Sequence, residues 1–195
     1  MEYEYENFED DQFAGQDLRN SRFLHCSFRG AVLEEVATYG CQFVDCDFTN
    51  AQLNASRHDR SAFVNCRFPG ASLFTSEFVE CKLTGSSLVD AILTGVKIKG
   101  GDWSYVNLRH QNLKGQSFRH ARLMETDFYG AVLEKADLRN ADLTRAVLTQ
   151  ARLRGADLRG AELEGVDFKG LDLKDVKMEV AQAIMLARSF GVRME

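Results

Sequence analysis

Large apolar residues recur along this chain at every fifth position. The series runs from Phe8, Phe13, Leu18, Phe23, Phe28 and Leu33 through to Leu163, Phe168, Leu173 and Met178, with Thr38 and His58 as its polar exceptions. No helix period of 3.6 or strand period of 2 holds such a register over that length. The residue two before each centre is small or compact: Ser21, Ala31, Ser61, Ala71, and an unbroken alanine series from Ala131 to Ala161. All five cysteines (Cys26, Cys41, Cys46, Cys66, Cys81) fall in this small slot. Thirteen of the fifteen glycines lie two after a centre, and only Gly101 and Gly191 lie elsewhere. One large and one small inward position followed by a glycine describes a short side and a turn.

A second period of twenty is nested in the first. The column Leu33, Leu53, Leu73, Leu93, Leu113, Leu133, Leu153, Leu173 is leucine throughout, and Thr38 and His58 are also twenty apart. Twenty residues are four five-residue sides, so the pattern predicts an all-β solenoid with four sides per coil, like side chains stacking on like. Coil-to-coil pairing at roughly 4.8 Å gives about nine coils and a rod on the order of 40 Å. The acidic residues before Phe8 are expected to cap the first coil or fray. After Met178 the period stops. Glu179 to Phe190 lacks glycine and proline, places Val180, Ala183, Ile184, Ala187 and Phe190 on one helical face, and meets a stop at Gly191. The expected division is therefore 1–178 for the solenoid and 179–195 for a C-terminal helix and tail that caps the last coil and, being more apolar than a cap requires, also serves as a dimer interface.

Composition narrows the function. Among 195 residues, 45% are hydrophobic and 27% charged, which excludes disorder, and no apolar run approaches membrane-spanning length. The N-terminus has no secretory pattern, so a cytoplasmic location with reduced cysteines is expected. The net charge of −5 excludes a generally basic nucleic-acid binder. That charge is uneven: residues 1–50 hold eleven acids and three bases, residues 51–195 eighteen acids and twenty-one bases.

Candidate chemistry is sparse. The cysteines read as core filler, because no CxxC pair exists. His58 reads as a hydrogen-bonded core histidine or the mark of a local bulge, against a catalytic or ligand role. His25, His110 and His120 occupy turn slots and read as surface residues. Asp137, Asp142, Asp157 and Glu162 lie one before a centre and point outward, as a solvated charge-mixed face or as a partner surface. Leu24, Val44 and Val64 lie one after a centre, twenty apart, and form an outward apolar strip, either a partner site or a patch covered by the N-terminal segment. The glycines form no phosphate-binding motif. The chain reads as a non-enzyme without cofactor or metal.

The runs Ala136-Asp137-Leu138-Arg139-Asn140, Ala141-Asp142-Leu143-Thr144-Arg145 and Ala156-Asp157-Leu158-Arg159-Gly160 carry the A(D/N)LXX signature and resemble the pentapeptide-repeat family. That resemblance covers nearly the whole chain and implies a right-handed quadrilateral β-helix. Within the family the chain is similar to the fluoroquinolone-resistance proteins of the Qnr and MfpA type. The similarity rests on the Cys-x-Phe-rich first half, the segment Arg57 to Phe68, and the ending Leu171 to Met178 followed by an apolar helix. The resemblance implies a DNA-mimicking homodimer that joins through Val180, Ile184, Leu186, Ala187 and Phe190. It also implies binding to DNA gyrase or topoisomerase IV, with no direct nucleic-acid or membrane contact. The unbroken phase favours the loopless form. The alternative is a scaffolding module with another protein partner, held by the apolar strip.

Overall fold

The computed structural model describes residues 1–193, apart from the side chain of Ser189, so the last two residues of the expected C-terminal segment lie outside the described residues. Residues just before a centre pair in parallel with the residues twenty later. On one face the ladder joins 2, 22, 42, 62, 82, 102, 122, 142 and 162, eight pairings in succession. The other three faces carry equivalent ladders from Asn7, Gln12 and Asp17. The result is a four-sided solenoid whose backbone hydrogen bonds run along its axis.

Regular strands are three residues long and confined to the first half. They are β1 (Glu2–Glu4), β2 (Asp17–Arg19), β3 (Arg22–Leu24), β4 (Ala37–Tyr39), β5 (Gln42–Val44), β6 (Arg57–Asp59), β7 (Ala62–Val64), β8 (Glu77–Val79) and β9 (Lys97–Lys99). They form two parallel sheets, β1-β3-β5-β7 and β2-β4-β6-β8-β9. The phase begins earlier than the sequence suggested. Tyr3 is itself a centre and its ring stacks on Phe23 at 4.9 Å, so the acidic N-terminus forms the first coil rather than fraying.

Every position two after a centre, from residue 5 to residue 175, has positive φ. Thirteen are glycines; of the twenty-two others, eleven are Asn, Asp or His, the types that tolerate this region best. That places His25, His110 and His120 at exposed corners. Pro69 precedes Gly70 (φ 69°) in a turn closed by the Ala71 N–H on the Phe68 carbonyl, a type II arrangement that uses no proline N–H.

The interior is a column of stacked side chains. Phe23, Phe43 and Phe63 stack at 4.8 and 4.7 Å, and Phe28, Phe48 and Phe68 at 4.9 Å, with planes within 7° of parallel. Thr38 and His58 keep the register, since β4 pairs with β6 and β6 with β8 residue for residue; neither marks a bulge. Helix α1 (Val180–Ser189) has Glu179 as its N-cap and ends as expected: Gly191 (φ 82°) donates to the Arg188 carbonyl and Val192 to the Ala187 carbonyl.

The four ladders are not equally continuous. Lys82–Asp102 and Ser87–Asn107 remain paired, but among the described residues no bridge joins Ile92 to Asn112 or Lys97 to Ser117. Two adjacent faces are thus open between residues 91–100 and 111–120, leaving β9 as the free edge of its sheet. The small slots are unusual around this opening. From Ser21 to Val166 they hold Ala, Cys, Ser, Thr or Val, except at Gly101, Gln111 and Gln116. The long Gln111 side chain replaces the backbone contact, its Nε2 donating to the carbonyls of Leu88 (2.6 Å) and Ala91 (3.1 Å).

Candidate functional site

The Leu24, Val44 and Val64 side chains stack in register on the first sheet, each half-buried, and the N-terminal strand continues this row instead of covering it. Each lies one residue beyond an inward phenylalanine, so the three-residue strand turns its side chain outward. The strip is an accessible ridge in the first half of the rod.

The candidate carboxylates fare differently from one another. Asp137 is held by Arg139 at 2.6 Å and Asp157 by Arg159 at 2.6 Å. Hydrogen bonding from Arg139 keeps the Asp137 carboxyl below its usual range, and hydrogen bonding from Arg159 pulls that of Asp157 to about 2. Asp142 accepts the Thr144 backbone N–H at 3.0 Å, and Glu162 has no ion-pair partner among the described residues. Some outward acids of the second half therefore sit in mixed, self-neutralised pairs, while Asp142 and Glu162 do not. In the first coil, Glu4, Glu6, Asp10 and Asp11 lie beyond ion-pair reach of any cation among the described residues. The net negative charge is concentrated toward the N-terminal end, where residues 1–50 hold eleven acids and three bases.

His58 is buried, with Nδ1 2.8 Å from Thr38 Oγ1 and Nε2 2.9 Å from Ser56 Oγ. The hydroxyls continue the network: Thr38 Oγ1 to Ser61 Oγ at 2.9 Å, Ser56 Oγ to Ser76 Oγ at 3.2 Å, and Ser76 Oγ donating to the Leu53 carbonyl at 2.7 Å. Hydroxyls can donate or accept, so either neutral tautomer is satisfied. Burial pushes the His58 pKa down to about 3. A sealed, neutral ring is a core group, not an acid–base catalyst.

The cysteines are free and buried, and they do more than fill space. The Sγ of Cys26, Cys46, Cys66 and Cys81 each reaches the carbonyl of the centre in the coil beneath: Tyr3 (3.6 Å), Phe23 (3.4 Å), Phe43 (3.4 Å) and His58 (3.3 Å). Ser86 does the same to Phe63 at 2.7 Å. Burial raises the Cys81 pKa to about 12, opposite to what a reactive thiol needs. Among the described residues no three His, Cys, Asp or Glu side chains gather as metal ligands would.

Helix α1 presents two faces. Gln182 turns inward and plugs the last coil: Nε2 donates to the Leu158 and Ala161 carbonyls, both at 2.7 Å, and Oε1 accepts the Glu179 N–H at 2.8 Å. Leu186 packs against the core beside it. Of the other residues expected to join two copies, Val180 and Phe190 are 78% and 53% exposed, and Ile184 and Ala187 are half-buried. Met185 and Val192 add further exposed apolar surface. The polar plug was not foreseen; a glutamine four residues before Leu186 on the same face was its signal.

A four-sided β-solenoid with a sealed core, charged faces and an apolar terminal helix defines the structural class of the chain. Residues 104–140 and 141–179 match the family model of pentapeptide repeats, in eight copies. Residues 104–179 are pentapeptide repeats, and the fold of the whole chain resembles that of Qnr. QnrB1, a plasmid-mediated fluoroquinolone resistance protein, matches in one trypsin-treated variant form at a TM-score of 0.73 and 24% identity, covering 100% of this chain and 98% of that one. A second trypsin-treated variant form of QnrB1 matches at 0.67 and 25% over the same shares. HetL from Nostoc sp. strain PCC 7120, involved in heterocyst differentiation regulation, matches at 0.50 and 26%, covering 91% of this chain and 84% of its own. No curated protein matches the chain by sequence.

Proposed function

We propose that this chain is a DNA-mimicking partner of a type II topoisomerase, DNA gyrase or topoisomerase IV, that lowers susceptibility to fluoroquinolones or similar poisons. The observation that carries this reading is the likeness to QnrB1 over the full length of both chains. The charge distribution gives it a form. Two copies joined through the exposed face of α1 put their acidic first coils at the two distal tips, where unpaired carboxylates meet a basic DNA-binding surface. The row of Arg–Asp pairs nearer the centre contributes shape more than field.

Supercoiling by gyrase, with and without a fluoroquinolone, tests the proposal. Micromolar protein is expected to inhibit supercoiling or to relieve the drug, and a variant with Glu4, Glu6, Asp10 and Asp11 changed to Lys is expected to lose the effect. A wild type that neither inhibits supercoiling nor relieves the drug refutes the proposal. Phe190→Asp is expected to give a monomer by light scattering; a wild type that is already monomeric removes the dimer.

A second reading is a scaffolding module, favoured by the accessible Leu24–Val44–Val64 ridge. Capture of a non-topoisomerase partner that is lost on Leu24→Glu or Val44→Glu supports it.

A further inference from the structure

The opening between residues 91–100 and 111–120 interrupts a regular pattern of pairing. In the coil below it, the N–H of a centre and that of the residue two later donate to the coil above, as Leu73 does to Ile92 (2.9 Å) and Thr75 to Thr94 (3.0 Å). At the opening the corresponding N–H groups of Leu93, Gly95, Ile98 and Gly100 have no protein acceptor among the described residues. The facing N–H groups of Asn112 and Ser117 are likewise unused. Unused donors cluster where β9 ends its sheet, and an unpaired strand edge is a template for another chain.

The surroundings fit that role. Two clefts of about 390 Å³ each follow the opening around a corner of the rod, on adjacent faces, and meet at Gln116. Their shared floor is apolar, with Leu93, Ile98, Trp103 and Leu113 beneath. At the lip, Ile92 is 50% exposed and Phe74 in the coil below is 49% exposed, among the most exposed large apolar side chains of the solenoid faces. Lys97, Lys99 and Lys114 line the clefts and no carboxylate does. Lys99 and Lys114 are shared with Glu77 and Glu134, while Lys97 has no ion-pair partner among the described residues.

We propose that this opening is a docking slit for an extended, acid-bearing peptide segment of a partner protein, which adds as a strand to the free edge of β9. The backbone carbonyls of the segment accept from Leu93, Gly95, Ile98 and Gly100. Alternate side chains meet the apolar floor and the Phe74–Ile92 lip. Its carboxylates meet the lysines, Lys97 first. Main-chain pairing supplies affinity, and the alternating pockets and charge supply selectivity. This surface lies midway along the rod, away from the acidic tip and from α1.

The test selects displayed random peptides of about twelve residues, a length that spans both clefts, against the full chain. Enriched peptides are expected to alternate apolar residues with Asp or Glu. They should shift the emission of Trp103, the single tryptophan, and slow hydrogen exchange at Leu93, Gly95 and Ile98. The exposed double change Lys97→Glu, Lys114→Glu is expected to weaken binding roughly tenfold or more with an unchanged circular dichroism spectrum. The proposal is overturned if no peptide is enriched, if enriched peptides bind without slowing those amides, or if they bind the double variant equally well.

Discussion

At the residue scale, the exceptions to the five-residue rule have defined physical roles. His58 is neutral in the fold, with its pKa lowered to about 3 from an ordinary 6.5. Because the folded value is depressed, the associated stability is complete above pH 6.5 and declines as pH falls from there toward 3. At pH 5 the loss is about 2 kcal/mol. Replacing both members of the column, Thr38→Leu with His58→Leu, leaves Ser56, Ser61 and Ser76 with partners and removes the titrating group. The double variant is expected to show a smaller drop in urea midpoint between pH 7.5 and pH 5 than the wild type; an equal drop contradicts the assignment. Gly101 is the second exception. A Cβ there would lie 2.2 Å from the Cys81 carbonyl oxygen at a φ of 88°, whereas one on Gly15 meets nothing within 4 Å. Gly101→Ala is expected to cost about 3 kcal/mol or more and Gly15→Ala about 1 kcal/mol, read from urea unfolding. Glycine spacing in the sequence marks where the chain turns. The non-glycine corners at Tyr5, Ala55 and Tyr105 show that the coil geometry imposes positive φ there whatever the residue.

At the element scale, a solenoid end exposes a cross-section of core and a set of unused carbonyls, and α1 closes both. Leu186 covers apolar surface and Gln182 satisfies the Leu158 and Ala161 carbonyls while fixing the helix start through the Glu179 N–H. Gln182→Leu keeps the apolar cover but leaves the Ala161 carbonyl and the Glu179 N–H without a partner, while the Leu158 carbonyl keeps only the Ala161 N–H. It is expected to cost about 1–3 kcal/mol and to speed amide exchange in residues 156–178 before any change near β1. Unchanged exchange there contradicts the plug. The helix and its bounds were legible in the sequence, because periodicity breaks at Met178 and Gly191 supplies a stop. Its division into an inward face at Gln182 and Leu186 and an outward face at Val180 and Phe190 was only half legible. An apolar stripe on an end helix fits a cap and an interface equally well, and only the packing separates them.

At the scale of the whole molecule, hydrophobic phase reports which side chains point inward, not whether successive coils meet. Leu93, Ile98, Leu113 and Phe118 all keep the phase, so the pattern runs unbroken across a place where two of four ladders are open. What the sequence does carry is the wrong size in three nearby small slots: glycine at 101 and glutamine at 111 and 116. Gln111 wedges and re-bonds one side, and Gly101 lets the backbone pass Cys81 on the other. In a stacked repeat, stability is close to a sum of unit terms and neighbour-interface terms, so this interface, which keeps two of four ladders as does the one at the last coil, is a weak joint within the body of the rod. Trp103 sits at that joint, while the stacked phenylalanines Phe23 to Phe68 lie wholly below it. Urea unfolding followed by Trp103 emission is therefore expected to begin at lower denaturant than the loss of far-ultraviolet circular dichroism. The two curves should converge when Gln111 and Gln116 are both replaced by Ala, the residue of the neighbouring Ala121 slot, which lets the open faces close. Superimposable curves in the wild type would mean that the two remaining ladders suffice to couple the halves.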